Sequence, residues 1–249
     1  MQKNYRIDFL SSLSDTLTTW QEVSGHVSMI MINAKRLDQY GAPLHTRYLD
    51  LAMVFTVQNE FSDRMEVYVL QEDDLDRFGV TKDQVYKTAE SNALMKRRFR
   101  IMPLSEALDQ SMLAPLAKDL PVVDAKSANK IVLDVDPITG EENVLVCTLK
   151  HRPFGAAYMF MPKVLDEVSK RFNRQDYYIV PVSMHEVWFI KNSYVSRNGK
   201  KSYQDVEIDL LDMLEEYNDT VNTNWQDILS YQLYYYLGND SHAVMPVKN

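Results

Sequence analysis

One cysteine in 249 residues rules out an intrachain disulfide, and a reducing compartment is the expectation that follows. That residue, Cys147, lies in the alternating apolar run NVLVCTLK, which predicts a buried strand cysteine rather than a nucleophile. Glycine is also scarce, at 7 residues. Folds organised by glycine-rich phosphate loops are disfavoured, and neither a P-loop nor a dinucleotide fingerprint occurs. No apolar run reaches the roughly 18 residues of a membrane span. Residues 1–20 hold no apolar stretch of signal-peptide length. The expectation is a soluble cytoplasmic protein without a membrane partner. Positive charge is in deficit, with 27 Lys and Arg against 35 Asp and Glu for a net charge of −8. General nucleic-acid binding needs a net basic face to displace counterions, so it is not expected.

What is present is the composition of a globular protein: 45% hydrophobic and 25% charged residues, with 15 tyrosines and 13 methionines. The length suits one large domain or two small ones and allows a sizeable core. Residues 5–20 space Ile7, Phe9, Leu10, Leu13 and Leu17 on one helical face, which predicts a short amphipathic helix. Residues 27–32 read as a strand covered on both faces. RYLDLAMVFTVQ (47–58) and RMEVYVLQ (64–71) read as a hairpin. A helical turn ends at Gly79, and Thr81 caps a helix carrying Val85, Ala89 and Ala93 on one face. KIVLDV and NVLVCTL flank an Asp-Pro-Ile-Thr-Gly turn, which predicts another hairpin. GAAYMFM (155–161) reads as a strand, and Pro162 starts a helix burying Val164, Leu165, Val168 and Phe172. Strands at DYYIVPV and EVWFIKN follow, then a helix with an acidic outer side over 205–218.

These elements predict an α+β fold, a mixed and largely antiparallel sheet with helices packed on it. Weak periodicity over 103–130 divides an N-terminal α+β half (1–102) from a C-terminal strand-helix-strand-strand-helix half (131–249). The pattern leaves open whether the two halves share one core.

Catalytic chemistry has one candidate position, the polar island Ser183-Met184-His185-Glu186 between two apolar runs. A histidine beside a carboxylate suits a general base with an orienting partner. Adjacent strand residues point to opposite faces, however, and position 189 is Phe, so the helical metalloprotease pattern fails. The competing reading is a hairpin corner in which Ser183 and His185 bond backbone groups and Glu186 is solvated. The histidines at 26, 45, 151, 185 and 242 form no short-spaced pair, so no metal and no cofactor are expected. For binding, the basic run KRRFR places Lys96, Arg97, Arg98 and Arg100 where they could meet phosphate or an acidic partner, or simply end a helix. YQLYYYLG presents Tyr234, Tyr235 and Tyr236, residues suited to interfaces and equally to packing on a sheet. The acidic helix is a surface for a basic protein, or solvated charge.

RYLDLAMVF, NVLVCTL, GAAYMFMPKVLDEVSKRF, DYYIVPVSMHEVWFI and DILSYQLYYY occur in an order that resembles an uncharacterised Firmicutes family, domain of unknown function 5688. The strand-helix-strand-strand half is also similar to the related family 1444. The resemblance covers about residues 45–102 and 143–236 and implies an α+β fold and a bacterial, phage or mobile-element origin. It implies no activity. His185, Glu186 and Asp50 are the positions matching the family motif, and Met184 stands where the motif has a second serine. The functional expectation is a cytosolic, non-enzymatic accessory protein that binds a protein partner, in one form a host defence factor. The alternative is a hydrolase-like enzyme using His185 and Glu186.

Overall fold

In the computed structural model the chain divides into two compact units, residues 1–98 and 99–249. The structure describes residues 6–13, 17–61, 64–95, 99–109, 142–149, 153–193, 203–220, 222, 227–238 and 243–247. Both units are helices on a largely antiparallel sheet, the α+β class expected from the pattern.

The first unit is organised by its longest strand. Strands β1 (Arg6–Leu10), β2 (Val27–Asn33), β3 (His45–Tyr48), β4 (Leu51–Glu60) and β5 (Arg64–Val69) form one sheet ordered β1-β5-β4-β2, with β3 also on β4. β2 lies along one edge of β4, while β3 and β5 share the other edge end to end. β1 runs parallel to β5, from Arg6 opposite Arg64 to Leu10 opposite Tyr68. Residues 6–10 are thus a strand, not the start of the helix that their spacing suggested. Apolar positions 7, 9 and 10 fit either period, and pairing with a distant strand decides the outcome. The expected single strand at 47–58 is broken at Leu49–Asp50, a two-residue turn in which Leu49 takes φ 59°. The backbone carbonyl of Asp50 accepts from Ala34 N–H at 2.8 Å.

Among the described residues three α-helices accompany this sheet, α1 (Trp20–Ser24), α2 (Asp73–Phe78) and α3 (Lys82–Met95), with a 3₁₀ helix at Ala34–Tyr40. α1 opens with a capping box between Thr19 and Glu22. α2 ends at Gly79 in the left-handed region, φ 62°. Thr81 and Gln84 form a second box at the start of α3, and Val85, Ala89 and Ala93 turn inward as expected. α3 lies against β2 and β4, where Asn92 donates to the carbonyls of Ser24 and Val27.

Among the described residues the second unit has six strands, β6 (Phe99–Pro103), β7 (Val144–Leu149), β8 (Tyr177–Ser183), β9 (Glu186–Lys191), β10 (Tyr234–Tyr236) and β11 (Val244–Pro246). Their order is β11-β10-β8-β9-β7-β6 and every pairing is antiparallel. A short helix α4 (Leu104–Asp109) follows β6. Two longer helices, α5 (Pro162–Arg171) and α6 (Tyr203–Thr220), cover the two sheet faces. Val146, Tyr178, Val180, Trp188 and Ile190 pack with Leu210, Leu214 and Tyr217 of α6. On the other face the Tyr177 hydroxyl donates to the Leu165 carbonyl of α5, and its ring meets Phe172 and Phe189. Covering both faces is why β8 and β9 are buried along their length. The Arg171 guanidinium ties α5 to the strands, gripping Glu142 and donating to the Ile101 carbonyl at 2.6 Å.

Residues 155–158, expected as strand, form a 3₁₀ turn, Gly155–Tyr158, that is buried throughout. An apolar run buried on every side carries no period by which strand and helix differ. The expected first arm KIVLDV, the segment 110–141 and the histidines 151 and 242 lie outside the described residues.

Candidate functional site

The island at 183–186 is the corner of the β8–β9 hairpin. Ser183 and Glu186 face one another across it, leaving Met184 and His185 as the two-residue turn. One extra residue between Val180 and Ser183 makes a bulge just before the turn. Pro181 falls there, where its missing N–H breaks no ladder bond. Ser183 Oγ accepts from His185 N–H at 3.1 Å, and Met184 N–H donates to the Asp227 carbonyl at 2.9 Å.

The segment 154–155 closes over this corner. Gly155 N–H donates to the His185 carbonyl at 2.9 Å. A Cβ at Gly155 would lie 2.3 Å from that oxygen, so the close approach requires glycine. Phe154 takes φ 75°, a left-handed conformation that costs a non-glycine residue about 1–2 kcal/mol. In that conformation its N–H donates to His185 Nδ1 at 3.3 Å. Nδ1 is therefore an acceptor, and the neutral ring carries its proton on Nε2. Nε2 faces Asp227 Oδ1 at 3.4 Å. Both ring nitrogens are engaged, which leaves no lone pair directed at a substrate.

Glu186 departs from the sequence reading. It was expected to be solvated and is 2% exposed, on the sheet face covered by α6. The Tyr217 hydroxyl on α6 donates to its Oε1 at 3.3 Å. Burial pushes the carboxyl up to about 7. The Tyr217 hydroxyl, the positive charge available at His185 and the Trp188 indole N–H oppose that rise. The indole N–H is nevertheless buried and makes no hydrogen bond of normal geometry. The Tyr217 hydroxyl is itself pushed up, by burial and then by the charge of Glu186, and stays a donor.

His185, Glu186, Tyr217, Trp188 and Asp227 thus gather at one end of the second unit. Only the first two were visible as candidates. Tyr217, on the inward side of α6, Asp227 and Trp188 carry no local signal. Asp50, the third motif position, belongs to the first unit, half-buried in the β3–β4 turn. Lys96, Arg97 and Arg98 lie outside the described residues, while Arg100 is half-buried on β6 opposite Thr148. Of the two readings of the tyrosine run, sheet packing is the one found for Tyr234 and Tyr236. Tyr234 and Tyr236 are 0% and 2% exposed, with Tyr236 stacked on Tyr177 at 4.7 Å. Tyr235 donates to Asp176 at 3.0 Å and accepts from Asn192 at 2.9 Å. The run packs on the sheet because strand β10 needs apolar or hydrogen-bonded side chains on both faces.

His26 and His45 each bond a backbone carbonyl, of Gln58 and Pro43 respectively. Among the described residues no group of three or more His, Cys, Asp or Glu could hold a metal ion. Among them, too, no helix is long and apolar enough to cross a membrane. Cys147 is fully buried in β7, and burial raises its thiol to about 12.

The chain belongs to the family of unknown function DUF5688, whose model matches residues 6–237. No curated protein and no solved structure matches it.

Proposed function

We propose that the protein is a non-enzymatic binding module whose partner is a basic protein, received on the outer face of α6. The observation that carries this reading is the charge of that helix. Asp212, Glu215, Glu216 and Asp219 are exposed, and α6 contains no lysine or arginine to offset them. Acidic pairs three and four residues apart repel by about 0.2–0.5 kcal/mol each. Carboxylates in the last turns also oppose the helix macrodipole. A face kept only for folding would mix its charges, whereas a cationic partner would relieve this one. The narrower form of the proposal is a bacterial, phage or mobile-element accessory protein in the cytoplasm. It would occupy the nucleic-acid-binding surface of a host defence factor.

The hydrolase reading has one observation in its favour, the His185–Asp227 pair beside a buried carboxyl. Against it, Phe154 N–H occupies Nδ1, and Ser183 Oγ accepts from the backbone rather than meeting the imidazole.

The test compares tagged wild type with a variant neutralised at Asp212→Asn, Glu215→Gln, Glu216→Gln and Asp219→Asn. Both are used to capture proteins from host lysate at low and high salt, read by mass spectrometry. A stoichiometric basic protein held by wild type, released by salt and absent from the folded variant supports the proposal. An identical catch from both proteins, or no stoichiometric catch with well-folded wild type, refutes it.

A further inference from the structure

A carboxyl group removed from water needs several donors to remain ionised. Glu186 is 2% exposed and receives one side-chain donor at 3.3 Å, the Tyr217 hydroxyl. Beside it the indole N–H of Trp188, two residues along the same face of β9, is buried without an acceptor. An idle donor and an under-supplied acceptor therefore share one enclosed place, between a strand and the helix that covers it. An unpaired buried donor is unfavourable in its own right. The pair makes sense if the two groups are used in one protonation state and not in the other.

We propose that Glu186, Trp188 and Tyr217 form a proton-operated latch between the β8–β9 hairpin and α6. With the carboxyl neutral, Tyr217 alone bonds it and the indole is idle. With the proton gone, the carboxylate draws in the Trp188 N–H as a second donor, and β9 and α6 adjust to admit it. The groups facing the carboxyl support this assignment. Tyr217 comes from α6 and stays protonated, so it donates in both states. His185 comes from the corner and, when protonated, favours the ionised form. Asp227 bears on the cluster through His185 and through Tyr217. The strand neighbours opposite Glu186 are Thr148 and Ser183, both uncharged. Burial and these partners place the proton exchange near pH 7. The latch stands apart from the proposal about the outer face of α6 and does not depend on it.

The experiment follows indole N–H resonances of the ¹⁵N-labelled full chain by NMR between pH 5 and 9. Trp188 is assigned by its loss in Trp188→Phe, and Trp20 of the first unit is the internal reference. The expected result is a downfield proton shift of the Trp188 indole with a midpoint near 7, absent in Glu186→Gln. Tyr217→Phe, which removes the other donor, should move the midpoint upward, and it serves where Glu186→Gln does not fold. A Trp188 indole that moves no more than Trp20 overturns the proposal. A shift retained in Glu186→Gln, or a midpoint unmoved in Tyr217→Phe, overturns it as well.

Discussion

Replacing Gly155 by alanine puts a methyl group where there is no room for one. The new Cβ would lie 2.3 Å from the His185 carbonyl oxygen and 2.6 Å from the Thr148 Cα. Both are backbone atoms, one in strand β7 and one in the hairpin turn, so neither can swing away as a side chain would. Restoring ordinary contact at 3.4 Å requires the 154–155 segment to lift by roughly 1 Å. That movement stretches the Gly155 N–H bond to His185 O and the Phe154 N–H bond to His185 Nδ1. Overpacking costs about 1–3 kcal/mol, and each lost hydrogen bond costs about 1 kcal/mol. The narrower unfolded ensemble of alanine returns about 0.4–1 kcal/mol. The net expectation is a loss of about 2–5 kcal/mol, confined to the second unit. Native-state hydrogen exchange of the β7, β8 and β9 amides reads that unit directly. Gly25→Ala in the first unit is the control, because nothing lies within 4 Å of the added atom. If Gly155→Ala exchanges within about 0.5 kcal/mol of wild type, the corner is not held by this close approach.

Three further outcomes are expected. Glu186 has its folded carboxyl raised from 4.5 to about 7, so its favourable contribution is complete below pH 4.5 and is lost as pH rises through 7. Urea unfolding should show wild type losing about 3 kcal/mol relative to Glu186→Gln between pH 4.5 and 8, and parallel profiles would contradict this. Cys147, buried with its thiol raised to about 12, should leave Ellman's reagent uncoloured in the native protein at pH 8 and react once denaturant is added. Asp74 accepts from the Tyr68 hydroxyl at 2.9 Å and the Gln71 N–H at 2.8 Å. Asp74→Ala strands both donors and should lower first-unit stability by about 2–3 kcal/mol, measured by exchange of the β4 and β5 amides.

Local chemistry was legible wherever a residue determines its own conformation. Pro162 starts α5, Thr81 and Gln84 box α3, and Gly79 ends α2, because caps act within a few residues. The fold class followed from the same elements. Pairing across distance was not legible. Nothing in residues 6–10 says that they lie beside residues 64–68. The site was half visible for a related reason. His185 and Glu186 stood out as polar residues among apolar ones, and the hairpin corner was anticipated. The burial of Glu186 depends on α6 lying over that end of β9. Tyr217, which touches it, is far along the chain and reads as one more apolar-side residue. Tyr234 and Tyr236 stood open between two readings, since a tyrosine pattern does not distinguish an exposed face from a stacked interior.

The parallel pairing of β1 also bears on how the protein is made. Its partner β5 ends at Val69, and at about 5–20 residues per second the ribosome takes several seconds to deliver it. The β4–β5 hairpin then closes in microseconds and becomes the template on which β1 docks. Until that moment Ile7, Phe9 and Leu10 travel unpaired with only Arg6 and Asp8 between them and aggregation. The second sheet differs, since its first strand β6 finds its neighbour in β7, the next described strand of the chain. In the first unit the earliest of these strands is an edge strand and the last that can be seated. Nascent chains arrested just before Val69 should therefore be the ones most readily bound by chaperones that recognise short apolar segments.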